Sequence, residues 1–255
     1  MELKRRLMTA TISTPFIFYT SVPQLSEKGT AALNEACAAF NANQPEKTEQ
    51  YFKAAIEADP TSPYLLSNLG AWYAAHRNIP EGVKLLNEAV SSDIPCAGAC
   101  YNLGTLLLGH QLYEQARVQL QRGIEIDPES AALYNNLGVA LFHLGKLEEA
   151  NAAFEKARTH AENFDPAYHN LGALAFEQGD LMRAHGWFDE AISRNPNSAT
   201  TLNSLGCTLA LEGKSTGAVA AFRKAVALND AFQMPYYNVG VLALHNDLID
   251  IEAEA

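Results

Sequence analysis

The feature that most constrains this chain is a glycine that recurs every 34 residues. The spacing holds without insertion at six positions: Gly70, Gly104, Gly138, Gly172, Gly206 and Gly240. Each glycine closes a triplet such as Asn136-Leu137-Gly138 or a close variant of it. A period of this length predicts a stack of helical units, in which each unit buries its apolar face against its neighbours.

Each unit has the pattern of two helices joined by a tight turn. In the fourth unit, Leu133, Leu137 and Leu141 recur at four-residue spacing, which places them on one helix face. Gly145 follows at a position suited to a left-handed helix end. Residues 146–158 then repeat the periodic pattern with Ala150 and Phe154 on one face. The sequence therefore predicts helix-turn-helix repeats.

The repeat register accounts for most of the chain. Full repeats begin at Gly29, Pro63, Ala97, Ala131, Asp165 and Ala199, and an incomplete one begins at Gln233. We expect the recurrent glycines, and the alanines opposite them on the second helices, to permit a close crossing of the two helices. Bulky residues such as Phe188 are expected to fill the space against the following repeat. Ser62, Ser130 and Ser198 are predicted to cap the first helices that follow them.

This register of Leu-Gly, Ala, Phe, Ala and Pro resembles the tetratricopeptide repeat family over residues 29–255. The resemblance implies an all-α, right-handed α-solenoid of six full repeats plus a C-terminal capping helix. It also implies that the first helices line a concave surface. Thr48, Gly82 and Gly123 depart mildly from the family pattern and leave the expected fold unchanged. The acidic stretch 247–255 is expected to supply a polar end.

Composition and motifs exclude several classes of function. The net charge of −11 and the lack of clustered Lys and Arg beyond residue 6 argue against nucleic acid. No phosphate loop, nucleophile elbow or zinc motif is present, and the histidines and cysteines lack ligand spacing. No apolar run is long enough to span a membrane. We therefore expect no enzyme activity and no cofactor or metal.

Residues 1–28 lie outside the repeat register and allow two interpretations. Lys4-Arg5-Arg6 followed by an apolar stretch could act as a secretory signal, although Ser, Thr and Pro interrupt that stretch. Alternatively, the segment is an N-terminal arm that is disordered or folds back on the array. If the segment is an arm, we expect a cytoplasmic protein. If it is a signal, we expect an exported one.

An asparagine precedes the leucine of almost every triplet. It is rotated by about 100° from the leucine around the helix axis, so it points away from the seam between the two helices. In the family, that direction faces the concave groove. The resemblance therefore implies a ladder of Asn34, Asn68, Asn102, Asn136, Asn170 and Asn238 inside the groove.

A carboxamide offers both a donor and an acceptor, so such a ladder can bind the main chain of an extended peptide. With helices about 8–10 Å apart and a rise of about 3.3 Å per peptide residue, one asparagine would meet roughly every third residue. In this respect the array is similar to the asparagine-lined superhelix of O-GlcNAc transferase, without a catalytic domain. The alternative is that the asparagines only tie adjacent first helices together.

The rest of the predicted groove is neutral. The inner positions on either side of the asparagines carry no Lys or Arg, so we expect no clamp for a peptide carboxylate. Aromatic and imidazole side chains accompany the ladder instead, and each could alternatively pack between repeats. The candidate groove residues beside the asparagines are Tyr64, Tyr101, Phe142, His169, Phe176 and Tyr237.

These observations favour an adaptor that binds a protein or extended peptide in the concave groove. A second hypothesis is an assembly factor of the secretion or pilus type, or an oligomeric scaffold, that acts through its convex surface or its ends. A third is the recognition module of an enzyme complex. The identity of the partner and the oligomeric state stay open at this stage.

Overall fold

The structure is a computed structural model that describes Lys4 and residues 15–246. Within these residues the chain forms thirteen α-helices and no β-strand. The helices are α1 Glu27–Asn41, α2 Pro45–Ala58, α3 Pro63–Ala75, α4 Ile79–Val90, α5 Ala97–Gly109, α6 Tyr113–Ile126, α7 Ala131–His143, α8 Leu147–His160, α9 Asp165–Gln178, α10 Leu181–Arg194, α11 Ala199–Leu211, α12 Ser215–Leu228 and α13 Gln233–Asn246. The predicted all-α solenoid of helical repeats is confirmed.

The helices fall into two compact units, which divide between the two helices of the fourth repeat. In the unit of residues 15–144, α1 packs on α2, α3 on α4 and α5 on α6, while the first helices α3, α5 and α7 also contact one another in series. In the unit of residues 145–246, α9 packs on α10 and α11 on α12, and α9, α11 and α13 form the corresponding series. Each unit thus presents a face made of first helices.

The turn within each repeat uses a left-handed residue at one fixed position. In the fourth to sixth repeats this residue is glycine, with φ of 75° at Gly145, 83° at Gly179 and 77° at Gly213. The first three repeats place a side chain in the same region, at Asn43, Arg77 and Gln111. Glycine is the residue that adopts this φ without steric cost, so the three later turns carry the stronger sequence signal.

At four of the recurrent glycines, Gly70, Gly104, Gly172 and Gly206, the atom nearest to an added Cβ belongs to a side chain of the second helix. A Cβ at Gly172 would lie 2.7 Å from Cε1 of Phe188, and one at Gly206 would lie 2.5 Å from Cε1 of Phe222. The bulky residue of the second helix therefore packs into its own repeat, and Phe188 also shares a buried apolar cluster with Cys207 and Ala210 of the following repeat, as expected. The closest backbone approach is at the alanine position, where a Cβ at Gly82 would lie 3.0 Å from the Gly70 carbonyl oxygen.

Two of the three predicted serine caps are present. Ser130 Oγ accepts a hydrogen bond from the Leu133 amide, and Ser198 Oγ accepts one from the Thr201 amide. Ser62 makes no such bond, and its buried hydroxyl has no partner within the part of the chain described. Here Pro63 begins the helix, and its fixed φ favours the first helical position without a side-chain cap.

The last helix, α13, covers the end of the second unit. Val241 and Leu242 are buried in one apolar cluster with Phe222, and Val239 packs against that cluster. Tyr236 on the same helix is 53% exposed. The acidic stretch 247–255 lies outside the described residues, as does most of the basic start of the chain.

We expect Gly172→Ala to destabilise the protein by about 1–3 kcal/mol, because the new methyl group must displace the Phe188 ring in a packed core. Gly186→Ala is the matched control in α10, since nothing lies within 4 Å of a Cβ built there. That control should stabilise the protein by up to about 1 kcal/mol through helix propensity. Urea denaturation followed by circular dichroism measures both, and equal midpoints for the two variants would contradict this packing.

Candidate functional site

A stretch of the N-terminal segment lies across the first helices of the unit 15–144. Asn102 Oδ1 accepts the Ile17 N–H at 2.9 Å, and Asn102 Nδ2 donates to the Ile17 carbonyl oxygen at 2.9 Å. Asn68 binds Tyr19 in the same way, with distances of 2.7 and 2.8 Å. Each carboxamide thus pairs with both main-chain polar groups of one residue, as a neighbouring strand would.

The segment runs opposite to the order of the repeats. Tyr101 of the third repeat donates its hydroxyl to the Pro15 carbonyl at 2.7 Å. Three residues later, the Phe18 ring centroid lies 5.1 Å from that of Phe40 and 6.4 Å from that of Phe52, both in the first repeat. Residues 15–19 therefore cross three repeats.

The spacing of the contacts differs from the expectation of one asparagine for every third residue. Asn102 and Asn68 bind residues 17 and 19, which are two apart. Two extended residues span about 6.6 Å, less than the 8–10 Å between packed helices. The two side chains must therefore lean toward each other, and Asn102 Nδ2 also donates to Ser67 Oγ on the neighbouring helix at 3.0 Å.

The Tyr19 side chain lies in a pocket at the start of α5. Its phenol oxygen accepts the Gly98 N–H at 2.9 Å and the Cys96 thiol at 3.6 Å. Its ring meets Tyr64 edge-to-face at a centroid distance of 4.9 Å, a favoured aromatic geometry. Burial is the main cause that raises the pKa of the Tyr19 phenol, so this group stays neutral in the pocket.

Gly98 is the residue that opens this pocket. A Cβ at that position would lie 2.6 Å from Cζ of Tyr19, so any other residue would push the ring out. Burial also raises the pKa of the Cys96 thiol, which keeps it in the neutral donor form. The pocket is uncharged, in keeping with the absence of Lys and Arg from the inner positions of the first helices.

The remaining side chains of the segment alternate in their surroundings. Phe16 packs with Tyr19 against the apolar cluster that contains Leu66 and Leu103, whereas Phe18 packs against the cluster that contains Phe52. Ile17 is 40% exposed between them. The site therefore holds three aromatic side chains and the main chain, and leaves position 17 facing solvent.

Other asparagines of the ladder are joined to neighbouring first helices. Asn136 Nδ2 donates to Thr105 Oγ1 at 2.9 Å. In the second unit, Asn238 Nδ2 donates to Asn203 Oδ1 at 2.8 Å and approaches Cys207 Sγ at 3.2 Å. Asn170 is fully buried in α9. The alternative of helix-tying asparagines thus describes part of the ladder, and Asn102 does both.

Asn34 differs from the other members, because it is exposed on α1. Its repeat is the first, so no earlier first helix covers it. The structure therefore gives no continuous ladder from Asn34 onward.

The other predicted groove residues are not gathered in one place. His169 is buried, with Nδ1 3.0 Å from Thr201 Oγ1. Phe176 is also buried, and Lys4 Nζ lies 5.6 Å from its ring centroid. Phe142 is half-buried against His143, and Tyr237 is 50% exposed. Among the non-asparagine candidates, Tyr64 and Tyr101 contact residues 15–19.

The sequence allowed residues 1–28 to fold back on the array, and residues 15–19 do so, but it did not single out these five residues or the pocket residue Cys96. The signal for the segment was present in Phe16, Phe18 and Tyr19, three aromatic residues within four positions. Gly98 lies four residues before Asn102 and therefore on the same helix face, although it is not one of the periodic glycines.

Residues 4 and 15–246 contain no group of three His, Cys, Asp or Glu side chains placed to hold a metal ion. No helix over the same residues has the length and apolar character needed to cross a membrane.

The fold and the small-residue register define a helical-repeat protein, and comparison with known proteins gives its family. A tetratricopeptide repeat family model matches residues 101–166 and 169–231. The chain therefore belongs to the tetratricopeptide repeat family, a fold that serves as a scaffold for protein–protein interaction. No curated protein matches this chain.

Several solved structures share the fold. The Cut9–Hcn1 hetero-tetramer of the APC/C matches with a TM-score of 0.76 at 16% identity, over 85% of this chain and 43% of that chain. PilF of Pseudomonas aeruginosa matches with a TM-score of 0.70 at 18% identity, over 82% and 96%. PilW, a type IV pilus biogenesis factor, matches with a TM-score of 0.72 at 16% identity, over 81% and 96%. This chain thus spans less than half of the Cut9–Hcn1 chain it matches.

We expect Asn68→Ala to release the segment around Tyr19. The variant removes two hydrogen bonds of about 0.5–1.5 kcal/mol each, so hydrogen exchange at the Tyr19 amide should accelerate by roughly 5- to 150-fold. Asn87→Ala is the control, because Asn87 is exposed on the second helix α4 and bonds only within it. Unchanged exchange at Tyr19 in the Asn68 variant would show that the carboxamide does not hold the segment.

Proposed function

We propose that this protein is a non-enzymatic scaffold that binds an extended segment of a protein partner along the first helices α3 and α5. The observation that carries the proposal is the two-point pairing of Asn102 with Ile17 and of Asn68 with Tyr19. These bonds use only main-chain groups of the bound segment. The same asparagines can therefore hold any extended chain whose side chains fit the adjoining pockets.

The chemistry of this face supports a neutral, aromatic ligand. Tyr64 and Phe40 supply ring surfaces, and 44% of Phe40 stays exposed even beside the segment. Aromatic side chains that enter such pockets commonly dominate the binding energy of an interface. The lack of Lys and Arg at the inner positions gives no partner for a terminal carboxylate, so an internal segment fits better than a C-terminal tail.

A role in pilus assembly has weaker support. The likeness to PilF and PilW is one of fold, at 18% and 16% identity. The contacts on α3 and α5 describe a binding mode directly, so we favour peptide recognition. A segment of an assembly partner would be one instance of such a ligand.

The test uses a full-length chain whose own segment is disabled by Ile17→Pro and Tyr19→Ala. A fluorescent peptide of sequence Pro-Phe-Ile-Phe-Tyr-Thr-Ser-Val should bind this chain in an anisotropy titration. Adding Asn68→Ala and Asn102→Ala removes four main-chain hydrogen bonds, so the affinity should fall at least about 30-fold. Adding Asn87→Ala instead should leave the affinity unchanged.

Circular dichroism of each variant checks that the helices stay folded. Peptide binding that is equally strong with and without the two asparagines would refute the main-chain ladder. The absence of peptide binding to the disabled-segment chain would refute the proposed function altogether.

A further inference from the structure

We propose that residues 15–19 are a built-in competitor for this face, and that the partner carries the same pattern: an aromatic residue, any residue, an aromatic residue and then tyrosine. The proposal rests on the proposed function of the face. It adds that the ligand is an aromatic, tyrosine-containing segment, and that residues 15–19 must leave the face before this ligand can bind.

The tyrosine is the most specific element of the pattern. Its phenol oxygen accepts the Gly98 N–H, which belongs to the first turn of α5 and has no partner within that helix. The Cys96 thiol approaches the same oxygen. A phenylalanine fills the ring pocket but leaves this amide without its acceptor, so the site discriminates between the two residues.

The two other aromatic residues define the spacing. Phe16 and Phe18 pack against different apolar clusters, and Asn102 holds the main chain of the residue between them. Ile17 lies between them and is 40% exposed, so this position accepts most side chains. The alternation fits an extended ligand, in which successive side chains point in opposite directions.

The short link between residues 15–19 and α1 makes this segment a strong competitor of an external ligand. Only six residues, 20–25, join Tyr19 to Ser26, which caps α1 through the Gly29 amide. A tether of this length gives an effective concentration in the millimolar range. An external ligand therefore binds only in the fraction of molecules whose segment is released, and its apparent affinity falls accordingly.

Release of the segment does not require α1 to unfold. Ser26 N–H and Oγ both bond the Asp59 carboxylate, at 3.1 Å from N to Oδ1 and 2.8 Å from Oγ to Oδ2. These bonds hold the start of α1 against the end of α2 independently of Tyr19. Gln24 has a left-handed φ of 63°, which marks the bend between the helix and the segment.

The experiment compares two full-length chains with the labelled peptide Pro-Phe-Ile-Phe-Tyr-Thr-Ser-Val. The chain with Ile17→Pro and Tyr19→Ala should bind it at least tenfold more tightly than the wild-type chain does. A chain with Tyr19→Phe loses one hydroxyl only and should give an intermediate affinity. In the peptide, replacing Tyr with Phe should weaken binding to the disabled chain by roughly 2- to 12-fold, and replacing Ile with Ser should change it little.

The outcomes separate the two proposals. Equal, measurable affinity of the peptide for the wild-type and disabled chains would overturn the competitor while the proposed function survives. No binding to either chain would overturn both. Equal affinity of the Tyr and Phe peptides would overturn the tyrosine preference. Light scattering that shows a wild-type dimer, lost in the disabled chain, would mean that the segment binds a second copy, and would overturn the intramolecular assignment.

Discussion

The contact between residues 15–19 and the first helices depends on the free-energy cost of burying an asparagine carboxamide without a hydrogen-bond partner. Asn68 and Asn102 are fully buried on the first helices, and each brings one acceptor and two donor hydrogens into an apolar surrounding. A buried polar group without a partner costs about 1–3 kcal/mol. The main chain of residues 17 and 19 supplies partners for both side chains. Any state in which the segment leaves must therefore offer water or another peptide to the same atoms, which makes these positions receptive to a replacement ligand.

The packing of the repeat places those carboxamides at regular intervals. Gly104 admits the large side chain of Leu120 from the second helix, and Gly172 admits that of Phe188. This contact fixes the rotation of the first helix about its axis, and with it the direction of the asparagine two residues earlier. A larger residue at the glycine would rotate or separate the helices. The fold and the candidate site are thus specified by neighbouring residues of one short motif.

The sequence predicted the architecture because small and large residues recur at one period, and the sizes of residues at these positions determine how the helices pack. It also allowed two roles for the asparagines, holding a peptide main chain or tying adjacent helices, and Asn68 and Asn102 pair with the main chain of Tyr19 and Ile17. It could not predict which asparagines would do so, because Asn136 and Asn238 meet side chains of adjacent helices instead. It allowed the N-terminal arm to fold back on the array, but it could not show which residues bind, because Ile17 and Asn102 lie 85 residues apart in the chain. Periodicity carries no information about such a contact.

A self-occupied face reconciles two opposing physical demands. A surface that binds aromatic residues tightly must expose apolar area when it is empty, and such patches promote aggregation. Residues 16, 18 and 19 cover that area with side chains of the same kind as the proposed ligand. Competition from residues 15–19 lowers the apparent affinity of every ligand by the same factor. Ligands that bind weakly, through the main chain alone, therefore no longer bind measurably. A partner that also presents a tyrosine to Gly98 gains the additional bond needed to displace the segment. The covering segment therefore turns a face with little intrinsic sequence preference into a more selective one.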